Sequence, residues 1–377
     1  MHRRHLIAAG GSALACPALA MDFAAPRQPA PMRASPDRLI DIAVGIRPFR
    51  ARGPRIEAER RFGKTLVHHY GHGGSGWSLC WGSAQRALAL VQAAARPGER
   101  IAVIGCGAIG LATARTAQQA GYKVRLYARN RPPRVHSSAA TGLWTPDSRI
   151  VAAEHASAGW TAGWEAMARA SFQVHQSYLG LPSGPVEWRD GYLLSDDGFD
   201  TPLPGHVGEP DYPGLHDRIA DLRPRGRALP AQDHPFRSRE ARRFTQLVFN
   251  IPAYQRLLLD DFARDGGELV QREFAAPRDF ARLPERLVVN CTGDGARTLL
   301  GDASLTPVRG QTARLIPQPE VDYALIYRGH NLVVLPRRDG LLVAAMGEHD
   351  FGNADLRPDR AQSEDAVRRL AGLFERP

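Results

Sequence analysis

The chain has 377 residues and a formal net charge of +10, from 49 basic and 39 acidic side chains. That length allows one large α/β domain or two medium ones with a full core. Lys64 and Lys123 are the lysines, and the many arginines are scattered without aromatic interleaving, a pattern of coding bias rather than a nucleic-acid surface.

The first twenty residues, "MHRRHLIAAGGSALACPALA", combine a basic start, an Ala/Gly-rich run and a small-x-small site at Ala18-Leu19-Ala20. They read as a signal peptide, and Arg3-Arg4 is similar to a twin-arginine signal for export of a folded protein to the periplasm. The alternative is an ordinary basic n-region. Cleavage leaves Cys80, Cys106 and Cys291, whose spacing fits neither a disulfide framework nor a metal knuckle, so no metal is expected. No later stretch is long and apolar enough to span a bilayer.

Residues 21–38 read as a Pro/Ala-rich linker. An extended run, "LIDIAVGIRPFR", follows, then "TLVHHYGHGG", a glycine loop that lets a ligand approach bare backbone. "SAQRALALVQAAAR" (Ser83–Arg96) is a helix stopped by Pro97-Gly98. "RIAVIGCGAIGLATARTAQQAGYKVRLYAR" reads as strand, glycine turn, helix, a Gly121 terminator and a second strand. Helix is expected at 163–180 and 252–267, strand at "GYLLS" and at 286–293, and loop over 197–240. "VRGQTARLI", "NLVVLP" and "GLLVAAM" read as antiparallel strands with a turn at Arg338-Asp339-Gly340, before a C-terminal amphipathic helix.

Gly105, Gly107 and Gly110 follow an apolar strand and open a helix at Ala108-Ile109, the context of a dinucleotide fingerprint. Gly105 permits the turn, Gly107 admits pyrophosphate, and Gly110 allows close packing. The phosphates then meet the positive end of the helix. At the end of the second strand, Arg129 and Asn130 stand where an acid is expected for the ribose. On this loop alone, flavin and phosphorylated nicotinamide remain alternatives.

Further stretches decide between them. "VHSSAATGLWTP", "LVVNCTGDGA", "YGHGGSGWSLCWG", "GIRPFRARGPRIEAE" and "VRGQ" together resemble the D-amino acid oxidase family of FAD-dependent enzymes. The resemblance covers nearly all of the chain after the leader, with one departure: the stretches like "GFRPxR" and "NYGHGG" precede the nucleotide fingerprint instead of following it. The sequence therefore reads as a circular permutant, joined through "ARPGER" and opened between the last helix and the Arg47 strand.

The resemblance implies an α/β fold, with a Rossmann-type FAD-binding domain and a second α+β substrate domain built on a mixed or antiparallel sheet. The nucleotide domain is expected at 39–150, comprising the permuted segment 39–96 and the βαβ unit 97–150, with a return at 281–310. The substrate domain is expected at 151–280 and 311–377. By resemblance Arg47 clamps the substrate carboxylate, as a planar guanidinium can do with two parallel hydrogen bonds. The Gly74 carbonyl receives the amine. Gly73, Gly74, Ser75, Gly76, Trp77 and Ser78 face the flavin pyrimidine ring. Ser137, Thr141, Gly142 and Leu143 line the FAD, with Thr292 and Gly293 near its adenosine side; Arg129, at the end of the second strand, is also taken as cofactor-binding. His72 is assigned a structural role.

The family's strand tyrosines are missing, because Val333 stands at the aligned position. Tyr323 and Tyr327 lie earlier, and Tyr327 is taken as the substitute catalytic tyrosine. Arg337 and Arg338 flank the hairpin and are expected to be solvated. The reaction implied is FAD-dependent oxidation of a D-amino acid to an imino acid, then a 2-oxo acid and ammonia, with O2 or another acceptor taking the electrons. The alternatives are an oxidase of an N-substituted or other amine, a nicotinamide-dependent reductase, and an exported flavin-binding protein without turnover.

Overall fold

The computed structural model describes residues 29–201 and 207–374, so the expected leader and the first part of the linker lie outside the described residues. In chain order the elements are β1 (Leu39–Arg50), β2 (Arg55–Arg61), β3 (Lys64–Tyr70), α1 (Gly76–Gln92), β4 (Arg100–Ile104), α2 (Ala108–Gln119) and β5 (Lys123–Ala128). Then come α3 (Ala158–Gln176), β6 (Val186–Ser195), β7 (Arg227–Leu229), β8 (Glu240–Phe249), α4 (Ile251–Arg264), β9 (Glu268–Gln271), α5 (Arg278–Ala281) and β10 (Leu287–Asn290). The chain closes with α6 (Gly295–Leu300), β11 (Leu305–Leu315), β12 (Ala324–Tyr327), β13 (Leu332–Arg337), β14 (Gly340–Ala345) and α7 (Arg360–Gly372).

One sheet is six-stranded, in the order β2-β3-β10-β4-β5-β9. Its pairs are parallel except β2–β3, an antiparallel edge. Ile101, Ala102 and Val103 of β4 are fully buried, as a continuous apolar run must be when helices cover both faces of a parallel sheet. On one face α1, α2 and α4 supply Leu79, Leu111 and Leu258, and on the other Phe280, Leu283 and Leu299 close the layer. Gly121 follows the last turn of α2 with φ of 86°, the left-handed exit that glycine makes at no steric cost.

The second sheet is eight-stranded, in the order β1-β11-β14-β13-β12-β6-β8-β7. It is antiparallel except where β12 runs alongside β6. The β13–β14 hairpin turns at Arg338-Asp339, with Arg337 opposite Gly340. One face carries Ala313, Leu315, Leu325, Leu341 and Val343 against Val367 and Leu370 of α7. The opposite face receives the 136–143 segment, where Thr312 Oγ1 donates to the Ala139 carbonyl at 3.0 Å.

Several boundaries differ from the sequence reading. β1 pairs with β11 along its whole length, so residues 39–50 and the 305–310 end of the expected return belong to the eight-stranded sheet. Conversely, β9 pairs with β5 in the six-stranded sheet, although it was expected in the substrate domain. Helix α1 begins at Gly76, not Ser83, because Trp77, Leu79, Cys80 and Trp81 already form a buried face within the "glycine loop". The described end of the linker is docked: Met32 is buried and the Ala30 carbonyl accepts from Tyr323 Oη at 2.7 Å.

Candidate functional site

A cavity of about 340 Å³ opens at the carboxyl ends of β3, β4, β5 and β10 and reaches β1 and Gly310 of β11. Ligands of open parallel sheets bind at this edge. The β4–α2 turn builds one wall. Gly105 has φ of 111°, a conformation available to glycine at little cost. A Cβ on Gly110 would collide with the Gly105 carbonyl, whereas one on Gly107 would meet only Ser137 Oγ at 3.3 Å. Gly110 therefore seats the helix on the turn, and Gly107 leaves backbone open to the cavity. Helix α2 has no side-chain cap at Gly107, although Ser137 Oγ accepts from the Ala108 N–H at 3.0 Å. The remaining N-terminal amides and the helix dipole suit an anionic group.

The second glycine loop forms the facing wall. The Gly73 N–H donates to the Pro48 carbonyl at 2.9 Å, and the Gly74 N–H donates to the Ser148 carbonyl at 3.0 Å. Ser75 Oγ donates to the same Ser148 carbonyl at 2.8 Å. The loop is thus pinned between β1 and the 145–149 segment, and α1 starts directly from it. Trp77 on the first turn donates its Nε1–H to the Ser137 carbonyl at 2.9 Å, tying the two walls together.

Arg47 lies at the β1 end, half-buried, with Nη1 donating to the Arg309 carbonyl at 2.8 Å. Among the described residues no carboxylate lies within ion-pair distance of it. Burial, reinforced by the positive charge of Arg149, pushes its pKa down to about 10, so it stays cationic at neutral pH.

Of the residues singled out from sequence, Arg47, Gly73, Gly74, Gly76 and Trp77 line the cavity from the β1 and α1 side. Gly105, Gly107, Ala108, Ile109 and Ser137 line it at the helix, and Arg129, Thr292 and Gly293 at the far end. Seven do not line it. Gly110 packs behind the turn. Ser75 is bonded to Ser148, and Ser78 Oγ accepts from the Thr145 N–H at 2.8 Å. The Thr141 carbonyl takes a bond from Arg337, Gly142 accepts from Phe249, and Leu143 bridges to Val248, so these three dock the 136–146 segment onto the eight-stranded sheet.

Tyr327 is a correction. Its side chain packs with Leu325 and Val343 on the α7 face, stacks on His330 at 4.0 Å and donates to Asp196. It points away from the cavity-facing side of the sheet and has no part in the site. Arg337 is a second correction: its side chain is 4% exposed and paired with Asp339 at 2.8 Å.

The structure also brings to the cavity polar residues that the sequence reading gave no ligand contact. His69 donates to or accepts from Thr113 Oγ1 at 2.8 Å, but its Nε2 and both nitrogens of His72 are buried on the cavity wall without a protein partner. Burial pushes the His72 pKa down to about 3 and lowers that of His69, so both imidazoles are neutral. Asp294 also lines the cavity with a buried, unpartnered Oδ1. Glu273 also lines the cavity, ion-paired with Arg129 at 3.2 Å. Orphaned polar atoms, the remaining free amides of a helix N-terminus and an open glycine edge fit a large ligand with both anionic and hydrogen-bonding groups, as FAD has.

Comparisons with known proteins agree with this site. Residues 100–377 match the model of the DAO family, FAD-dependent oxidoreductases. A D-amino-acid oxidase of Rubrobacter xylanophilus is 29% identical over 284 residues, covering 74% of this chain and 78% of that protein. One of Streptomyces coelicolor is 30% identical over 283 residues, with coverage of 74% and 78%. One of Dictyostelium discoideum is 26% identical over 294 residues, covering 74% of each. The chain belongs to the DAO family of FAD-dependent oxidoreductases and is an FAD enzyme that oxidises amino acids.

Proposed function

We propose that the substrate is a D-amino acid, held by its carboxylate on Arg47. The observation that carries this is the half-buried guanidinium at the end of the cavity, fixed by the Arg309 carbonyl and lacking a carboxylate partner. A carboxylate there gains a directional, charge-assisted pair in a partly desolvated place. Bound FAD supplies the two-electron acceptor for the substrate Cα–H. Arg47 and the Gly74 carbonyl orient the carboxylate and the amine, and the pinned glycine loop keeps that geometry rigid. The imino acid product hydrolyses to a 2-oxo acid and ammonia.

The reading is tested by assaying 2-oxo acid formation from paired D- and L-amino acids. Product from the D-enantiomers alone supports it; product from L-enantiomers, or from amines without a carboxylate, overturns it. The amine-oxidase alternative draws on Val333 and on the position of Tyr327, which leave no strand tyrosine at the site; a carboxylate-free amine gives Arg47 no task, whereas an N-substituted glycine would use the same clamp and is distinguished by assaying it beside the D-amino acids.

The chain order is proposed to be a circular permutation. Residues 39–99 lie outside the matched stretch, yet β1 joins the eight-stranded sheet and β2 and β3 the six-stranded one, and this segment supplies Arg47 and the glycine loop. A rearranged gene with residues 39–96 moved behind residue 374 should fold and bind FAD. Failure of that protein to take up FAD would count against the permutation. Export is proposed from the first twenty residues, and enzyme found only in the cytoplasmic fraction would contradict it.

A further inference from the structure

We infer that Trp77, Tyr254 and Tyr178 form a conduit that carries single oxidising equivalents from the cavity to the protein surface, with His175 as the proton acceptor for Tyr254. The inference rests on the FAD reading, because the oxidant is named as a light-excited, oxidised isoalloxazine in the cavity.

The geometry is continuous. Trp77 lines the cavity. Its ring lies 5.4 Å from that of Tyr254, stacked at 27°. Tyr254 on α4 is fully buried, and Tyr178, just beyond the end of α3, lies 4.9 Å further on and is half-buried. Trp81 runs alongside, stacked on Tyr178 at 5.8 Å. The rings thus follow one another in contact from cavity to surface.

Packing alone does not explain the polar atoms. Tyr254 Oη accepts from Trp81 Nε1 at 2.8 Å and lies 3.1 Å from His175 Nδ1. A hydroxyl has one proton to give. With the Trp81 N–H already pointing at its oxygen, that proton goes to His175. Burial pushes the His175 pKa down to about 3, so Nδ1 is free to accept it. A buried phenol cannot lose an electron cheaply while keeping its proton in an apolar core, and His175 stands within the reach that proton transfer requires.

The electrons and protons balance. Trp77 would give up one electron, for which bound, light-excited FAD would be the acceptor. Tyr254 returns one electron to Trp77 as its phenolic proton moves to His175 Nδ1. Tyr178 then returns one electron to Tyr254, the proton moves back from His175, and the Tyr178 phenolic proton leaves to water. The net result is a neutral radical on Tyr178 at the surface, away from Arg47 and the substrate.

The experiment is a blue-light flash on the purified yellow holoprotein, followed by transient absorption and electron paramagnetic resonance. A neutral tyrosyl radical is expected in the parent protein and is lost in Tyr254→Phe, whereas Tyr178→Phe should leave it stranded on buried Tyr254 with an altered resonance spectrum and with substrate-driven flavin bleaching unchanged. His175→Gln should stop the equivalent at Trp77, giving a tryptophan radical signal instead. Trp77→Phe should remove both signals and raise flavin fluorescence. A tyrosyl radical that persists in Tyr254→Phe, a radical spectrum unaltered by Tyr178→Phe, or fluorescence indifferent to Trp77→Phe, overturns the conduit while leaving the enzyme reading intact. A protein that binds no flavin overturns both.

Discussion

The Arg47 guanidinium lies against the bare backbone of Gly310 on the neighbouring strand, where a Cβ would fall 2.5 Å from its Nη1. Gly310→Ala should therefore displace the clamp without removing its charge. The expected result is a raised KM for amino-acid substrates, with little loss of stability, because the far end of a flexible side chain can move aside. Arg47→Ala should cost more, about 3–5 kcal/mol in kcat/KM, the size of effect seen when one partner of a desolvated charge pair is removed. Steady-state kinetics on both variants check the pair, and unchanged constants in Arg47→Ala would remove the clamp.

The fingerprint glycines should separate by measurement. Gly110→Ala gains about 1 kcal/mol of helix propensity. It also drives a Cβ into the Gly105 carbonyl, an overpacking cost of about 1–3 kcal/mol or more at a backbone that cannot step aside. The clash should win, lowering Tm with or without FAD. Gly107→Ala meets only Ser137 Oγ, so it should spare the Tm of the flavin-free protein and weaken FAD binding. Thermal melts with and without added FAD distinguish the two.

Tyr327→Phe should leave the kinetics unchanged. It removes a hydrogen bond to Asp196 on the α7 face, a stability loss of about 1 kcal/mol. A large fall in kcat would put the side chain back in the site.

Acid should weaken the fold through its buried histidines. His72 and His175 are both pushed down to about 3 by burial, against about 6.5 in an unfolded chain. Above that unfolded value both states are neutral and stability does not depend on these groups. As pH falls below it, the unfolded state takes up protons that the native state refuses. Stability then drops by up to about 1.4 kcal/mol per pH unit for each group, until the native groups titrate. His69 acts in the same direction, whereas the raised pKa of Asp294 works oppositely at lower pH. Urea midpoints between pH 7 and pH 5 should decline, and His175→Gln should flatten part of the slope. A profile flat across that window contradicts burial of neutral imidazoles.

The strand–turn–helix at 100–119 was legible in the sequence because glycines at fixed offsets are demanded by backbone geometry, and the structure uses each for a steric reason. The partnership of β1 with β11 was not legible, since local pattern does not say which of two sheets a strand joins. Tyr327 was misread for a related reason. β12 has four residues, and alternate positions face opposite ways, with Leu325 and Tyr327 toward α7 and Ile326 toward Leu143. Without the register, the face could not be assigned. Val333, by contrast, does lie on the Leu143 side. Glu273 comes from a loop outside every motif stretch, and only the fold brings it to the cavity, whereas Asp294 follows Thr292 and Gly293 within "LVVNCTGDGA". Arg337 was expected in water because it flanks a turn, yet Asp339 and the Ala140 and Thr141 carbonyls bury it.

The most direct test of a D-amino acid substrate on Arg47 is anaerobic. The purified holoprotein is mixed, without oxygen, with matched D- and L-amino acids and simple amines while its visible flavin absorption is followed. Bleaching by D-amino acids, absent with their mirror images and with carboxylate-free amines, is the predicted result. A yellow protein that no D-amino acid bleaches, or that amines without a carboxylate bleach equally well, would contradict it.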